Sequence, residues 1–345
     1  MTFLRNCWYL AAWSSDVPVG MVVPRVLLGE PVVLFRMADG NPAALLDRCP
    51  HRFAPLSAGT HEGSSIRCRY HGLSFDGNGQ CSSNPHGPVT GGMRVKSYPV
   101  TERFRGIWIW MGDPAQADPA KLPDLSFLEE TPETAFNCGY LYSKAHYELS
   151  IDNVLDLSHI DFLHPNTLGG GTVTNTKAIV EQLSDGIDIK WISPGQRPSP
   201  LLASLLGDVA DETDVWQEVR WWAPAIIRLR SGAVEKGKAR SEGYENVNVH
   251  IVTPETTRTS HYLFAATRNY RVDDEALNAQ IAEARHRIFS TEDSPMIEAC
   301  QDRMGDNDFW SMKPLLLPID RGPAVVRRML QRMIDRENEI GTEPG

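Results

Sequence analysis

The stretches Cys49-Pro50-His51 and Cys68-Arg69-Tyr70-His71 decide the fold of the first third of this chain. Each places one cysteine close to one histidine, and sixteen residues, 52–67, separate the two stretches. A [2Fe–2S] cluster needs four ligands, and in its Rieske form two histidines replace two cysteines on one iron. The pattern therefore predicts a Rieske cluster held by two loops, each at the tip of a hairpin.

A tetrahedral zinc site is the alternative for the same four residues. Zinc sequences usually keep like ligands together, with two cysteines followed by two histidines, whereas each pair here mixes the two types. The mixed pairs favour Cys49, His51, Cys68 and His71 as ligands of an iron–sulfur cluster. The other four of the six cysteines have no histidine at this spacing and are expected to be buried thiols.

Composition limits the classes of protein to consider. Hydrophobic residues make up 41% of the chain and charged residues 23%, as in a globular protein. The net charge of −10 argues against a nucleic-acid partner, which would require clustered Lys and Arg. No stretch approaches the roughly 20 apolar residues of a membrane-spanning helix, and the first residues lack a signal-peptide pattern. We therefore expect a cytoplasmic protein with no membrane partner.

Turn signals and hydrophobic runs divide the chain into two predicted domains, 1–115 and 116–345. The first has short apolar runs separated by turns, including the hairpin signal Asp76-Gly77-Asn78-Gly79. A proline-containing stretch, residues 115–125, is the expected linker. The remainder mixes strand-like runs with helical stretches, from about Tyr147 to Phe162 and about Asp274 to Ile288. The order predicts an α+β protein with an N-terminal all-β domain.

Three motifs resemble the Rieske domain of aromatic ring-hydroxylating oxygenases: Cys49-Pro50-His51-Arg52, the stretch from Cys68 to Leu73, and Asn84-Pro85-His86-Gly87. The likeness to the vanillate O-demethylase and dicamba monooxygenase branch covers nearly the whole chain. It implies a helix-grip catalytic domain of antiparallel sheet and helices, a mononuclear non-haem Fe(II), and O₂ as co-substrate. It also implies a homotrimer, a small aromatic substrate, and NAD(P)H electrons delivered by a ferredoxin or flavin reductase.

Residues 151–165 supply candidate ligands for this iron. Fe(II) that activates O₂ is typically held by two histidines and one carboxylate, with open positions left for O₂. His159 and His164 are separated by roughly 140° on a regular helix, so the helix must end or distort between them. Pro165 favours such an end because a residue before proline avoids the α conformation. Two surface histidines beyond a helix end are the alternative, but a Rieske motif upstream favours the metal.

Asn153, Asp156 and His159 follow one another at i, i+3 and i+6, which predicts one polar stripe of a helix. The resemblance implies that Asp156 bridges a cluster histidine, His71 by position, and an iron-ligand histidine across a subunit interface. A carboxylate in this place would accept the remaining N–H of each imidazole ring and so fix both rings. A solvated helix residue is the alternative for Asp156. We treat Asn153 and Asp156 as candidate catalytic residues.

The resemblance implies that the third iron ligand lies far along the chain. The matching stretch is 288–295, and Asp293 is the matching position. Glu292 is the nearest competitor for this role. The alternative is that Asp293 caps a helix that opens at Pro295.

Substrate contacts are sought among cations of the second domain. Arg228 and Arg230 alternate along a strand, so both point to one face of a sheet, where the pair could clamp a carboxylate. The alternative is that both face solvent. His250 lies in a stretch that resembles a substrate-contacting strand of the dicamba branch. The resemblance implies insertion of one oxygen atom into an aromatic acid, with O-demethylation of a methoxy group as the leading reaction.

Two other functions stay open. A ring cis-dihydroxylating dioxygenase α-subunit has the same metals, but such subunits are usually longer than this chain. An electron-transfer Rieske protein without oxygenase activity belongs to a different class. The intact set of His159, His164 and Asp293 argues against it.

Overall fold

The computed structural model describes residues 2–169, 171–197, 199–201, 203 and 212–340. They divide into two compact units. One holds the chain up to Asp124 together with Thr253–Thr256, and the other holds Leu125–Val252 and the chain from Thr257 onward. The expected linker lies almost wholly in the first unit, where the indole Nε1 of Trp8 donates to the carbonyl of Asp118 at 2.8 Å. In the described part of the chain, no helix is long and apolar enough to cross a membrane.

The first unit consists of β-strands and short 3₁₀ turns in its described residues. The strands form three antiparallel sheets, in the orders β1–β11–β10, β2–β3–β4–β9 and β5–β6–β7–β8. They are β1 (Trp8–Trp13), β2 (Val22–Leu27), β3 (Glu30–Arg36), β4 (Pro42–Leu46), β5 (Thr60–His61), β6 (Ser65–Arg67), β7 (Ser74–Asp76), β8 (Cys81–Ser83), β9 (Ser97–Tyr98), β10 (Val100–Arg103) and β11 (Gly106–Trp110).

The second unit is built on one large antiparallel sheet. Its strand order is β12–β18–β17–β16–β15–β14–β13, so strands that are consecutive from β13 to β18 are neighbours. The strands are β12 (Phe136–Ser143), β13 (Ile179–Gln182), β14 (Gly186–Gln196), β15 (Thr213–Trp222), β16 (Ile226–Glu235), β17 (Tyr244–Pro254) and β18 (Ser260–Arg268). The α-helices are α1 (Phe127–Glu130), α2 (Tyr147–Leu155), α3 (Ile160–Leu163), α4 (Glu275–Ile288), α5 (Ser294–Met304) and α6 (Arg321–Ile340).

Helices pack against this sheet. Helix α2 contacts β15 and β18, α4 contacts β12, and α6 contacts β13 and β14. Side chains alternate along each strand, so the residues that face the helices are every second one. The all-β first unit and the sheet with helices in the second confirm the predicted α+β fold class.

The predicted helix over 147–162 is broken. Helix α2 ends at Leu155, and Asp156 adopts an extended conformation with φ −112° and ψ 91°. A 3₁₀ turn, Leu157–His159, leads into α3, and His164 then leaves the helix with φ −120° and ψ 43°. The break falls at Asp156 because its carboxylate caps this turn, accepting a hydrogen bond from the N–H of Ser158. Asn153, Asp156 and His159 therefore do not form a stripe on one regular helix, as predicted, although all three line the same cavity.

The C-terminal helical stretch contains a second irregularity. Helix α4 runs into a π-helical turn, Phe289–Asp293, which continues directly into α5. Such a turn adds a residue to the helix and is frequent at functional sites. Asp293 has helical dihedral angles and its side chain caps no N–H, so the alternative that it serves as a helix cap does not hold.

Candidate functional site

The two predicted cluster loops have different places in the sheets. The second, with Cys68 and His71, is the tip of the hairpin formed by β6 and β7. The first, with Cys49 and His51, joins β4 to β5, which belong to different sheets. The expectation of two hairpins is therefore wrong for the first loop.

The two loops nevertheless have the same pattern of backbone hydrogen bonds. The N–H of Phe53 donates to the carbonyl of Cys49 at 2.9 Å, and that of Gly72 donates to Cys68 at 3.0 Å. Both donors have left-handed conformations, with φ 61° at Phe53 and 77° at Gly72. Each cysteine N–H also donates to the carbonyl five residues later, at 2.8 and 2.7 Å. The loops therefore present their Cys and His side chains from matching turns.

In these loops the two cysteine thiols lie side by side, and so do the two histidine rings. Cys49 and Cys68 are buried, and burial, followed by the neighbouring Cys68 thiol, raises the pKa of Cys49. The His51 and His71 rings lie 4.4 Å apart. Burial, then the charges of His51 and Arg52, lowers the pKa of His71, which favours the neutral ring that binds metal. Two sulfur and two nitrogen ligands in separate pairs fit the two irons of a Rieske cluster.

The second group forms where the two helix irregularities meet. His159, His164 and Asp293 are, among the described residues, the one group of three or more potential ligands whose atoms all lie within 4.8 Å of one another. Asp293 Oδ1 is 3.1 Å from His164 Nε2 and 3.5 Å from His159 Nε2. The 3₁₀ turn and the π-helical turn thus bring together side chains 129 residues apart.

The other nitrogen of each ring is held by a hydrogen-bond acceptor. His159 Nδ1 lies 2.6 Å from the carbonyl oxygen of Asp156, and His164 Nδ1 lies 2.7 Å from Glu292 Oε2. Protons at both Nδ1 atoms leave the Nε2 lone pairs facing the Asp293 carboxylate, a repulsive contact unless a cation lies among them. Asp293 Oδ2 is buried without a hydrogen-bond partner. Two histidines and one carboxylate in this state fit a non-haem Fe(II).

Without a metal, burial raises the pKa of Asp293, but His159 and His164 that also carry a proton on Nε2 outweigh burial through hydrogen bonds and charge and lower this pKa to about 2. Asn153 adds a further contact, because its Nδ2 donates to Asp293 Oδ1 at 3.2 Å. The carboxylate is therefore ionised and fixed in place.

The structure corrects part of the expectation for Asp156. Its main-chain carbonyl, not its carboxylate, accepts the N–H of His159, because the 3₁₀ turn places this carbonyl three residues before the ring. The carboxylate accepts from the N–H of Ser158 at 3.0 Å and lines a second cavity together with Leu315 and Leu316.

His159, His164 and Asp293, together called the iron-type site from here on, lie at a cavity of about 180 Å³ between the sheet and the helices. Apolar lining comes mainly from the helices, from residues such as Leu157, Ile281 and Phe289. Polar lining comes from the strands and, beside His159, His164 and Asp293, from residues outside them: Asn153, Asp161, Thr172, Ser199 and Arg285. The polar strand residues are Gln217, Ser231, Asn246, Asn248 and His250.

Arg228 and Arg230 do not line this cavity. Their strand neighbours Leu229 and Ser231 do, so strand alternation places both arginines on the opposite face of β16. Arg230 pairs with Glu245 at 2.6 Å there. This placement corrects the expectation that the arginine pair clamps a substrate in the cavity.

His250 does line the cavity. Its Nδ1 lies 2.6 Å from the Tyr262 hydroxyl, and its buried Nε2 has no hydrogen-bond partner. Burial, and secondarily the charge of Arg285, lowers the pKa of His250 to about 3, so the ring is neutral at pH 7.

Sequence reasoning missed the roles of Glu292 and Arg285. Glu292 was weighed only as a ligand, whereas its carboxylate orients His164. Arg285 lines the cavity from α4, four residues after the buried Ile281 and three before the buried Ile288. Helical spacing places it on the buried face of this helix, and that signal was present in the sequence.

A cluster-binding β domain joined to a domain with a two-histidine, one-carboxylate group defines the Rieske non-haem iron oxygenases. Two family models match: the Rieske [2Fe-2S] domain over residues 7–99 and the vanillate O-demethylase oxygenase C-terminal domain over residues 143–336. The chain belongs to this vanillate O-demethylase family of Rieske oxygenase components.

Several characterised proteins are similar over nearly their whole length. The oxygenase component of chloroacetanilide N-alkylformylase from Rhizorhabdus wittichii is 38% identical, with 97% of each chain covered. The iron-sulfur subunit TsaM1 of the toluene-4-sulfonate monooxygenase system from Comamonas testosteroni is 37% identical, over 99% of this chain and 100% of that one. A crystal structure of dicamba monooxygenase bound to dicamba matches with a TM-score of 0.91 and 32% identity, over 98% and 100% of the two chains.

Proposed function

We propose that this oxygenase component mono-oxygenates a small aromatic acid, with O-demethylation as the leading reaction. The observation that carries the proposal is the group of His159, His164 and Asp293 at the wall of a largely apolar cavity. A cavity of about 180 Å³ suits one small aromatic ring and its substituents.

In this proposal Cys49, His51, Cys68 and His71 hold the Rieske cluster. His159, His164 and Asp293 hold the iron. When bound, the cluster supplies electrons one at a time, and the iron activates O₂ for insertion of one oxygen atom into a C–H bond of the substrate.

The surrounding side chains orient the ligands and keep water out. Glu292 and the Asp156 carbonyl fix the two imidazole rings, and Asn153 holds the carboxylate of Asp293. Apolar side chains such as Ile281 and Phe289 exclude water around the reacting carbon. His250 contacts the substrate through its unpartnered Nε2. When a methoxy carbon is oxidised, the resulting hemiacetal breaks down to a phenol and formaldehyde without a dedicated protein acid.

Relatives favour an aromatic acid as substrate. Two of them are named for toluene-4-sulfonate and dicamba, and each of these compounds carries an acidic group on or near an aromatic ring. Another relative is named chloroacetanilide N-alkylformylase, and this name supports oxidation of an N-alkyl group as a variant of the proposed reaction. We retain O-demethylation as the leading reaction and oxidation of an N- or C-methyl group as the nearest variant.

Electron supply and assembly complete the proposal. NAD(P)H electrons reach the cluster through a ferredoxin or flavin reductase, in the cytoplasm, where free thiols stay reduced. The active form is a homotrimer in which the Asp156 carboxylate of one subunit meets His71 of the partner subunit. The observation that supports this contact between subunits is the surroundings of Asp156. It lies in a cavity lined by exposed leucines, which are typical of a protein interface.

Metal analysis and product analysis together test the proposal. The holoprotein should contain about three irons per chain, two in the cluster and one at the histidine–carboxylate group. With a surrogate reductase and methoxylated benzoates, it should take up O₂ and release formaldehyde. About two irons and no turnover would support an electron carrier instead. Formation of diols alone would replace the monooxygenase by a cis-dihydroxylating enzyme.

A further inference from the structure

Arg285 is a cation placed inside the substrate cavity. It is the one Lys or Arg among the described residues that line it. Helix α4 presents it on the same face as Leu277, Ile281 and Ile288, all of which are buried. An arginine at a position that helical spacing reserves for an apolar residue costs stability unless its charge is compensated.

The guanidinium of Arg285 is only partly satisfied by the protein. Nη1 donates to Asn137 Oδ1 at 2.9 Å, and Nη2 donates to Asn248 Oδ1 at 2.8 Å. Both acceptors are neutral amides, and no described carboxylate pairs with Arg285. A guanidinium has five N–H donors, so the two amides leave others available to a ligand. Burial lowers the pKa of Arg285 to about 10, which still keeps it cationic at pH 7.

Among the described residues of the second unit, Arg327 and Arg268 are also buried. Arg327 lies between Glu148 and Asp152. Arg268 donates to three main-chain carbonyls and to Asn278, and it does not line the cavity. Arg285 differs from Arg327 because it has no acidic partner in the described part of the chain, and from Arg268 because it lines the cavity.

The acids that line the cavity are already engaged. Asp293 faces the two histidines, and Asp161 accepts hydrogen bonds from the main-chain N–H groups of Gly171 and Thr174. Neither carboxylate neutralises Arg285. The positive charge of Arg285 in the cavity wall is therefore not neutralised by a described carboxylate.

His250 supplies a second polar group in the cavity wall, close to Arg285. It shares the cavity face of β17 with Asn248, two residues away, which is itself bonded to Arg285. When the Tyr262 hydroxyl donates to Nδ1, the ring proton lies on the unpartnered Nε2, which can then donate to a ligand. The strand thus holds a neutral donor near the guanidinium.

We infer that Arg285 determines substrate specificity by binding the anionic group, a carboxylate or a sulfonate, of the substrate, with His250 Nε2–H as a second donor. The inference rests on the proposed function, which it deepens by naming the residue that selects acids over neutral compounds. An anion at Arg285 replaces the missing acidic partner, whereas a neutral isostere leaves the charge uncompensated.

Binding without turnover tests this inference. Holoprotein containing cluster and iron, kept anaerobic and without reductase, is titrated calorimetrically with benzoate, benzenesulfonate, benzamide and benzenesulfonamide. We expect each acid to bind more tightly than its amide. In Arg285→Gln the acids should lose about 30-fold in affinity while the amides lose little. Arg285→Lys, which retains the charge without the planar fork, should lose less. The affinity ratio of benzoate to benzamide is compared with that of benzenesulfonate to benzenesulfonamide. The larger of the two ratios identifies the carboxylate or the sulfonate as the preferred anionic group.

Arg268→Lys is the matched control, since it alters a buried arginine outside the cavity and should leave the acid-to-amide ratio unchanged. A ratio near one in the unaltered protein, or equal losses for acids and amides in Arg285→Gln, would overturn the inference. Anion preference without any product in the turnover assay would refute the proposed function alone. Product formation without anion preference would refute the specificity role alone.

Discussion

At the scale of single residues, the iron-type site depends on which nitrogen of each histidine is free. Glu292 accepts a hydrogen bond from the Nδ1–H of His164 at 2.7 Å and so directs the Nε2 lone pair of that ring toward Asp293. A carboxylate in this position also increases the basicity of the ring. A residue that binds no metal can therefore set the affinity of a metal site.

Glu292→Gln should weaken iron binding by about 10–100-fold, because an amide orients the ring without strengthening it as a ligand. Iron content per chain, measured across a series of chelator concentrations, reports the change. The visible spectrum of the cluster should be unaffected. Glu283→Gln, which removes the same charge from an exposed position on α4, is the control. Equal iron affinity in the Glu292 variant and the control would remove the orienting role.

The pH dependence of anion binding follows from two side chains of the cavity. The pKa of His250 is lowered from its usual value to about 3, so the ring stays neutral above that pH. The pKa of Arg285 is about 10, so the guanidinium stays charged below it. Benzenesulfonate is anionic throughout. Its affinity should therefore change little between about pH 6 and 8. Binding that tightens steadily as the pH falls through 6.5 would show that His250 takes up a proton instead.

At the scale of secondary-structure elements, the sequence predicted that an irregularity was needed but not where it lies. Pro165 and the spacing of His159 and His164 required a helix to end near them, and His164 does leave the helix. The break at Asp156 depends on its side chain capping the N–H of Ser158, a competition between cap and helix that spacing alone does not reveal. Pro295 lacks the N–H that would bond the carbonyl of Thr291, so the sequence indicates an irregularity near Asp293 but not that it takes the form of a π-helical turn.

Helix α6 stabilises α2, the helix that leads into the segment with His159 and His164. Arg327 of α6 is buried and pairs with Glu148 and Asp152, both on α2, the helix that also provides Asn153. Removing one member of a buried charged group leaves the others uncompensated. The C-terminal helix therefore fixes the position of α2.

Arg327→Gln should lower the free energy of unfolding by about 3–5 kcal/mol, because the half-buried carboxylates of Glu148 and Asp152 lose their buried partner. Denaturant unfolding followed by circular dichroism measures this loss. Arg328→Gln alters the adjacent, exposed arginine of the same helix and should change stability by less than about 0.5 kcal/mol. Similar losses of unfolding free energy in both variants would show that the protein is stabilised by the net charge of α6 and not by the buried charged group around Arg327.

At the scale of the whole molecule, the fold class followed from the sequence because its two strongest signals are local. Cys49 and His51 lie two positions apart and Cys68 and His71 three positions apart, so spacing alone indicates a cluster. Arg228 and Arg230 show the opposite case. Alternation correctly placed both on one face, but only tertiary packing determines which face of β16 the helices cover.

An exposed apolar segment lies between α5 and α6. It contains Met312, Leu315, Leu316, Leu317 and Ile319, and Leu315 is 86% exposed. Isolated exposed leucines need no explanation, but a cluster of this kind is typical of a protein interface, and we assign it to the trimer interface proposed above. Because Leu315 and Leu316 line the same cavity as Asp156 and His159, a subunit docked here would lie against the iron-type site.

Leu315→Asp should therefore convert trimers to monomers, because it places a charge in the apolar centre of the proposed interface. Light scattering after gel filtration measures the mass, and metal analysis should show unchanged iron content. Product formation should fall, since electrons can no longer pass from the partner's cluster. Asp156→Asn separates assembly from electron transfer: it should leave both trimer and metals intact and still slow product formation sharply. Ile179→Asp, at an exposed apolar position on β13, should alter neither mass nor rate. An unaltered protein that is already monomeric at full activity would rule out transfer between subunits.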